Sequence, residues 1–289
     1  MSSLKGKIAV VAGGTRGAGR GIAVKLGEAG AVVYVTGRTT RDNQSPMRRK
    51  ETIEETAEMV TSAGGLGIPV KVDHTVESEV IRLFDRINKE QGRLDILVND
   101  VWGGDPLTEW GKPIGEHDLH KGLQMQKQAV HSHIITAHYS IPLLKANEGG
   151  LIIEITDGVD YQPRGNFYYS LAKISTIHMA QAMAQDLKKY NITSIAVTPG
   201  FLRSEAMLEH FGVTEENWEE GANIDPHFIA SESPYYIGEA IKHLASDPHI
   251  ADKTGEVYST WELSELYGFT DVDGTKPHWG NYFKSVGSE

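Results

Sequence analysis

"AGGTRGAGRGIAVKL", residues 12–26, follows a short apolar run and leads into a helical pattern carried by Ile22, Ala23 and Leu26. Within it Gly13, Gly17 and Gly19 stand as G-x-x-x-G-x-G, with Thr15 and Arg16 between them. Glycines let a backbone turn sharply and approach a ligand, and the free N–H groups and dipole of a following helix favour an anion. The spacing gains its meaning from its position. "KIAVVAG" (7–13) reads as a strand, so the glycines lie between a first strand and a first helix, where a dinucleotide's pyrophosphate is held. The stretch predicts a doubly wound α/β fold.

Working outward, further β-branched runs are "AVVYVTG" (31–37), "LGIPVKVD" (66–73), "LDILVND" (94–100), "GLIIEIT" (150–156), "ITSIAVTPG" (192–200) and "GEVYST" (255–260). Helical periodicity separates them over 51–63, 77–91, 120–145 and 168–189. Strands apolar on both faces that alternate with helices predict a parallel sheet covered on both sides. The expected fold is α/β, Rossmann-type, with a seven-stranded parallel sheet and one domain over residues 1–289. The irregular segments 38–50, 101–118 and 201–233 each follow a strand's carboxyl end, the ligand-binding end of such sheets. Of these, 201–233 reads as a substrate lid, and 261–289 as a polar C-terminal tail.

Of the 289 residues, 39% are hydrophobic and 23% charged, enough for a globular core. A net charge of −11 argues against nucleic acid or an anionic membrane as a partner. The absence of cysteine excludes disulfides, thiolate metal sites and a cysteine nucleophile. No long apolar run precedes the first glycines and none later approaches ~18 residues. Neither a signal peptide nor a membrane span is expected, and the location expected is cytoplasmic. The twelve histidines do not assemble a metal site: in "HSHIITAH" (131–138) the close pair is on the wrong helical spacing, and "HDLH" (117–120) has no third ligand. They read as surface or interface residues, and no metal is expected.

An acidic residue about 20 positions beyond the glycine loop would grip the ribose of NAD. Here the second strand ends "VTGRTTR", with Gly37 and Arg38 at that place, and Arg16 adds a second cation. Arginine matches phosphate geometry with forked donors, so NADP(H) is the expected cofactor. Arg41, Arg48, Arg49 and Lys50 lie in a loop that reads as exposed.

"NFYYSLAK" (166–173) offers a proton-transfer pair. Residues four apart on a helix are offset by only about 40°, so Tyr169 and Lys173 share a face, whereas Tyr168 points roughly 140° away. An adjacent ammonium favours the phenolate of a tyrosine.

In order, the glycine loop at 13–19, "VDHT" (72–75), "LVND" (97–100), "YSLAK" (169–173) and "TPGFLRS" (198–204) resemble the short-chain dehydrogenase/reductase family over residues 5–260. "ELYGFTDVDG" (265–274), with the glycine pair after "VND", resembles one mammalian subgroup of it. The resemblance implies that Asp73 contacts adenine, that Asn99 supports the strand end, and that Pro199, Gly200 and Ser204 line the nicotinamide half. It also implies that Tyr169 exchanges a proton with the substrate oxygen while Lys173 lowers the tyrosine pKa and holds the ribose hydroxyls. Assembly through the helices 120–145 and 168–189, as a homodimer or homotetramer, is implied in the same way.

Two positions depart from the family's pattern. Its serine, which hydrogen-bonds the substrate carbonyl, falls on Thr156 by spacing from Tyr169 and on Asp157 by alignment of the strand. Threonine could donate to a developing alkoxide, whereas an ionised aspartate would repel it, and both stay open. The asparagine of the family's proton relay falls on Ala129. Aromatic and apolar residues in the segments near the mouth (Trp102, Trp110, Tyr161, Phe167, Phe201, Met207, Phe211, Trp218) favour a bulky apolar carbonyl. The expected activity is NADP(H)-dependent interconversion of a small-molecule ketone or aldehyde with its alcohol. The competing expectation is a dinucleotide-binding sensor or scaffold with little turnover.

Overall fold

The computed structural model describes residues 4–287. The seven strands are β1 (Ile8–Ala12), β2 (Val32–Gly37), β3 (Leu66–Lys71), β4 (Ile96–Asn99), β5 (Gly150–Ile155), β6 (Ile192–Thr198) and β7 (Val257–Ser259). They pair in parallel throughout, in the order β3-β2-β1-β4-β5-β6-β7. Alternate residues of a strand face opposite sides, and both sides here are apolar. Ala9 and Val11 join a core with α1 (Gly17–Glu28), α2 (Ile53–Ser62) and α8 (Pro234–Ser246). Ile8 and Val10 join a second core with α3 (Glu77–Gln91) and α5 (Ser132–Ala146). On this second side α6 (Phe167–Leu187) packs Ile177 and Ala180 on Ala196 of β6.

β3 departs from the expected two-sided burial. It is the edge of the sheet, Leu66 is 50% exposed, and it carries Pro69, a residue with no N–H that sheets tolerate at an edge. The pattern expected as one helix over 120–145 is α4 (Leu119–Gln126) continued into α5 through a π-helical turn, Lys127–His131.

The closest helix–helix approach on the first side is between α1 and α8. A Cβ on Gly21 would overlap the Pro234 carbonyl, and one on Gly238 would stand 2.5 Å from the Gly21 oxygen. Gly21→Ala must therefore push the two helices apart. Overpacking of this kind costs about 1–3 kcal/mol, and denaturant unfolding is expected to show that loss; an unchanged midpoint would refute the close approach.

The segment 201–233 is folded around α7 (Glu205–Phe211) and two short 3₁₀ turns. Phe201, Phe211 and Phe228 form an aromatic cluster within it, with Phe211 and Phe228 centroids 4.4 Å apart. Arg203 is buried there under the Trp218 ring, at 4.1 Å. Its guanidinium meets Glu215 at 2.9 Å and, from the C-terminal segment, Asp271 and Asp273 at 3.6 Å each. That segment is more than a polar tail: it forms α9 (Thr260–Tyr267) and α10 (Trp279–Val286), and Trp279 packs on Phe201.

Candidate active site

Strand order reverses between β1 and β4, because the chain runs from β1 outward to β3 and then returns to β4. The carboxyl ends of these two strands open a crevice of about 950 Å³, at the upper end of ligand-pocket sizes. Gly13, Thr15, Arg16 and Gly17 line one part, Arg38 and Asp73 another, and Thr156, Asp157, Tyr169, Lys173, Pro199, Gly200 and Ser204 the rest. Two expected contact residues lie behind it. Gly19 packs against the Gly13 carbonyl. Asn99 is fully buried, and its Nδ2 donates to Glu154 Oε1 at 2.8 Å, tying β4 to β5.

The glycine turn is tight because it must be. A Cβ on Gly13 would overlap the Asp100 carbonyl, and one on Gly19 would lie 2.8 Å from the Asp100 carboxylate. The Gly17 N–H, at the amino end of α1, donates to Glu205 Oε2 of α7 at 2.8 Å. That helix end therefore already receives an anionic oxygen, as its dipole favours. Desolvation lifts the Asp100 carboxyl to about 7, against the pull of Lys173, His133 and Arg16 and a hydrogen bond from the Gly19 N–H.

Arg38 has one ion partner, Asp73 at 3.9 Å, and makes no side-chain hydrogen bond among the described residues. Arg41 and Arg49 of the basic loop are tied up, with Glu58 at 2.6 Å and with Glu51 and Glu209 respectively.

Asn166 caps α6, its Oδ1 accepting from the N–H groups of Tyr168 and Tyr169 at 3.0 and 3.1 Å. From this start the two tyrosines diverge. Tyr168 is buried against His117, with centroids 4.8 Å apart. Tyr169 turns into the crevice, between Trp102 at 5.4 Å and Trp110 at 5.0 Å. Lys173 lies on the same wall, its Nζ 5.7 Å from the Tyr169 ring and 4.3 Å from that of Trp102.

The two residues at the end of β5 part company. Thr156 donates its hydroxyl hydrogen to the Lys173 carbonyl at 2.8 Å, fastening the strand to α6. The Tyr169 hydroxyl donates to Asp157 Oδ2 at 2.7 Å. Desolvation, and then the Asp157 carboxylate, push Tyr169 well above its ordinary value, and burial lowers Lys173. The phenol is held protonated.

Three histidines expected at the surface are buried instead. His74 bridges Thr36 and Thr136 at 2.8 Å each, His117 sits on Tyr168, and His133 meets Glu154 at 2.6 Å and the Val101 carbonyl at 3.0 Å. Among the described residues no three His, Asp or Glu gather as a metal-holding group. Of the aromatic residues expected at the mouth, Trp102, Trp110 and Phe201 line the crevice, with Met207, while Tyr161, Phe167, Phe211 and Trp218 do not. Trp279 lines it too, brought from the far end of the chain, and Gln128 enters from the π turn. Neither had a motif or a period to reveal it.

A parallel seven-stranded sheet with a glycine turn at its switch point, facing a Tyr–Lys pair on one helix, defines a dinucleotide-dependent oxidoreductase. The chain belongs to the short-chain dehydrogenase/reductase family: the family model "short chain dehydrogenase" matches residues 7–212. It is similar to dehydrogenase/reductase SDR family member 1 of Mus musculus, 32% identical over 95% of this chain and 86% of that protein. This is the subgroup to which the "DVDG" tail pointed. A 7alpha-hydroxysteroid dehydrogenase of Clostridium sardiniense is 28% identical over 73% of this chain and 76% of its own length. Among solved structures, a short chain dehydrogenase of Mycobacterium thermoresistibile superposes with a TM-score of 0.80 at 22% identity, covering 96% of this chain and 92% of that one. Members of the family use NAD or NADP, and the residues here fit such a group: the Gly13–Gly19 cradle has no room for a Cβ, and the Gly17 N–H already holds a carboxylate oxygen. No helix among the described residues is long and apolar enough to cross a membrane.

Proposed function

We propose that this chain is an NADP(H)-dependent reductase of a bulky apolar ketone or aldehyde. The observation that carries the proposal is the Tyr169 hydroxyl, held protonated at 2.7 Å from Asp157 on the crevice wall that also bears Lys173. Bound NADPH would supply the reducing equivalent. Tyr169 then donates its proton to the carbonyl oxygen of the substrate, as a positioned acid does. Asp157 keeps that proton in place, which favours the reducing direction. Lys173 holds the ribose hydroxyls and balances the carboxylates around it. Thr156 positions Lys173 through its main-chain carbonyl. Trp102, Trp110, Phe201, Met207 and Trp279 supply the apolar wall, and the similarity to a hydroxysteroid dehydrogenase supports a substrate of that bulk.

Arg38 and Arg16 support the choice of NADP(H), Arg38 having guanidinium hydrogens available for a 2′-phosphate. A hydrogen bond to a charged group is worth about 1.5–3 kcal/mol. NADPH is therefore expected to bind at least roughly tenfold more tightly than NADH, and Arg38→Ala to remove most of that difference. Equal affinities in the unsubstituted protein, by fluorescence titration, would sink the NADP(H) assignment. Exposed Leu119 and Leu123 of α4 and Phe167 and Leu171 of α6, on neighbouring helices, support a homo-oligomer. A cytoplasmic site of action, where such dinucleotides are at hand, completes the proposal. A carbonyl panel followed by NADPH absorbance tests the substrate class: bulky alicyclic and aromatic ketones should turn over, and small charged ones should not.

A further inference from the structure

We infer that Trp110 is a stacking platform that selects ketones with an aromatic ring bonded directly to the carbonyl carbon, an assignment that rests on the reductase reading above and narrows its substrate class. Trp110 belongs to the irregular segment 101–118, lines the crevice and is 62% exposed. One exposed indole is ordinary on a protein surface; what sets this one apart is how firmly it is held. Its edge rests on Gly165, at φ +60, where a Cβ would lie 2.9 Å from the ring. The residue before it, Glu109, is tied through backbone and side chain. The Glu109 N–H donates to His117 Nε2 at 3.3 Å, and its carboxylate accepts from the Asp118 N–H at 2.9 Å and from Lys112 and Lys121 at 3.0 and 3.3 Å. The Glu109 carbonyl accepts from Nδ2 of the buried Asn166 at 3.0 Å. Asn166 Oδ1 accepts from the Tyr169 N–H at 3.1 Å, so one amide places both the start of the Tyr169 helix and the strand of chain that carries the indole.

The two indoles flanking Tyr169 are not equivalent. Trp102 is already engaged: its Nε1–H donates to Asp105 Oδ1 at 2.6 Å, and its face receives the Lys173 ammonium at 4.3 Å. Trp110 meets the Tyr169 ring at 5.0 Å, tilted by 55°, and has neither a cation over it nor a hydrogen bond to its side chain among the described residues. A carbonyl that takes the Tyr169 proton must bring its carbon close to the phenol oxygen. A ring bonded to that carbon then falls beside the indole that flanks the phenol. Aromatic rings meet in offset or edge-to-face pairs that gain more than the area they bury. A saturated ring of the same size buries the area without that gain. Because packing and hydrogen bonds lock Trp110 before a substrate arrives, little ordering is needed for the stack to form.

The experiment compares phenyl methyl ketone with cyclohexyl methyl ketone by steady-state kinetics with NADPH. Their intrinsic reactivities differ, and that difference cancels when the ratio of their kcat/KM values is compared between proteins. Trp110→Leu, which keeps an apolar side chain, should lower the aryl-to-saturated ratio by about three- to tenfold. The loss should appear mainly as a higher KM for the aryl ketone, because the stack forms before the chemical step and persists through it. Trp110→Phe should keep the ratio within about twofold, and it provides the reading if the leucine variant fails to fold. Trp102→Leu should slow both ketones alike. An unchanged ratio in Trp110→Leu, a ratio lost completely in Trp110→Phe, or a ratio that falls in Trp102→Leu alone overturns the assignment. If Trp110→Leu keeps the ratio but sediments as a smaller species, the indole belongs to a subunit contact and the platform is likewise refuted. Failure of the unsubstituted protein to reduce either ketone would remove the reductase reading and the platform with it. Reduction of both with a ratio insensitive to Trp110 would remove only the platform.

Discussion

Tyr169→Phe is expected to lower the turnover number by about 10²–10⁴-fold, the usual worth of a positioned acid, while NADPH binds as before. The substitution deletes one oxygen and keeps the ring between Trp102 and Trp110, whose centroids lie 5.4 and 5.0 Å away. Packing of the wall and the place of Lys173 should therefore survive. What disappears is the hydrogen that the hydroxyl now directs to Asp157. Steady-state rates on the best ketone of the panel, beside a fluorescence titration of NADPH, separate the two effects. Should both proteins bind NADPH and be equally inactive on every carbonyl, a sensing or scaffolding role with little turnover would replace the reductase.

Asp157→Ser is expected to move the pH profile in a stated direction. Desolvation and the Asp157 carboxylate both raise the Tyr169 pKa, so the phenol stays protonated up to strongly alkaline pH. Reduction needs the protonated form and should hold level until that high pKa, then fall. Oxidation of the alcohol needs the phenolate and should be poor near neutrality. Removing the carboxylate lowers the Tyr169 pKa, which brings the alkaline limb of reduction to lower pH and lets oxidation begin at lower pH. The lost hydrogen bond to a charged group is worth about 1.5–3 kcal/mol, so oxidation near pH 8 should rise roughly ten- to a hundredfold. Serine also offers the substrate oxygen a donor that an ionised carboxylate lacks. Superimposable profiles for the two proteins would show that Asp157 does not govern the tyrosine proton.

How much of this was legible depended on whether the signal was local. The seven strands follow from short β-branched runs between amphipathic helices, and the switch-point crevice from the glycines after the first strand. β3 was misjudged because composition does not tell an edge from the middle of a sheet. The choice between Tyr168 and Tyr169 could be read because four residues on a helix fix a direction. Thr156 and Asp157 could not be separated, since adjacent residues at a strand end diverge only once the partner helix is in place. The π turn leaves no clear period, so Gln128 gave no sign. Trp279 lies more than a hundred residues from Tyr169, and only the fold brings it to the crevice.

The buried Arg203 limits how this enzyme can be remodelled. Its counter-charges come from Glu215 in the segment 201–233 and from Asp271 and Asp273 beyond α9. Grafting another protein's loop onto 201–233 alone would strand one set of charges, and trimming the chain before Asp271 would strand the arginine. The two segments are therefore electrically coupled, and a change in the charges of one is expected to need a matching change in the other.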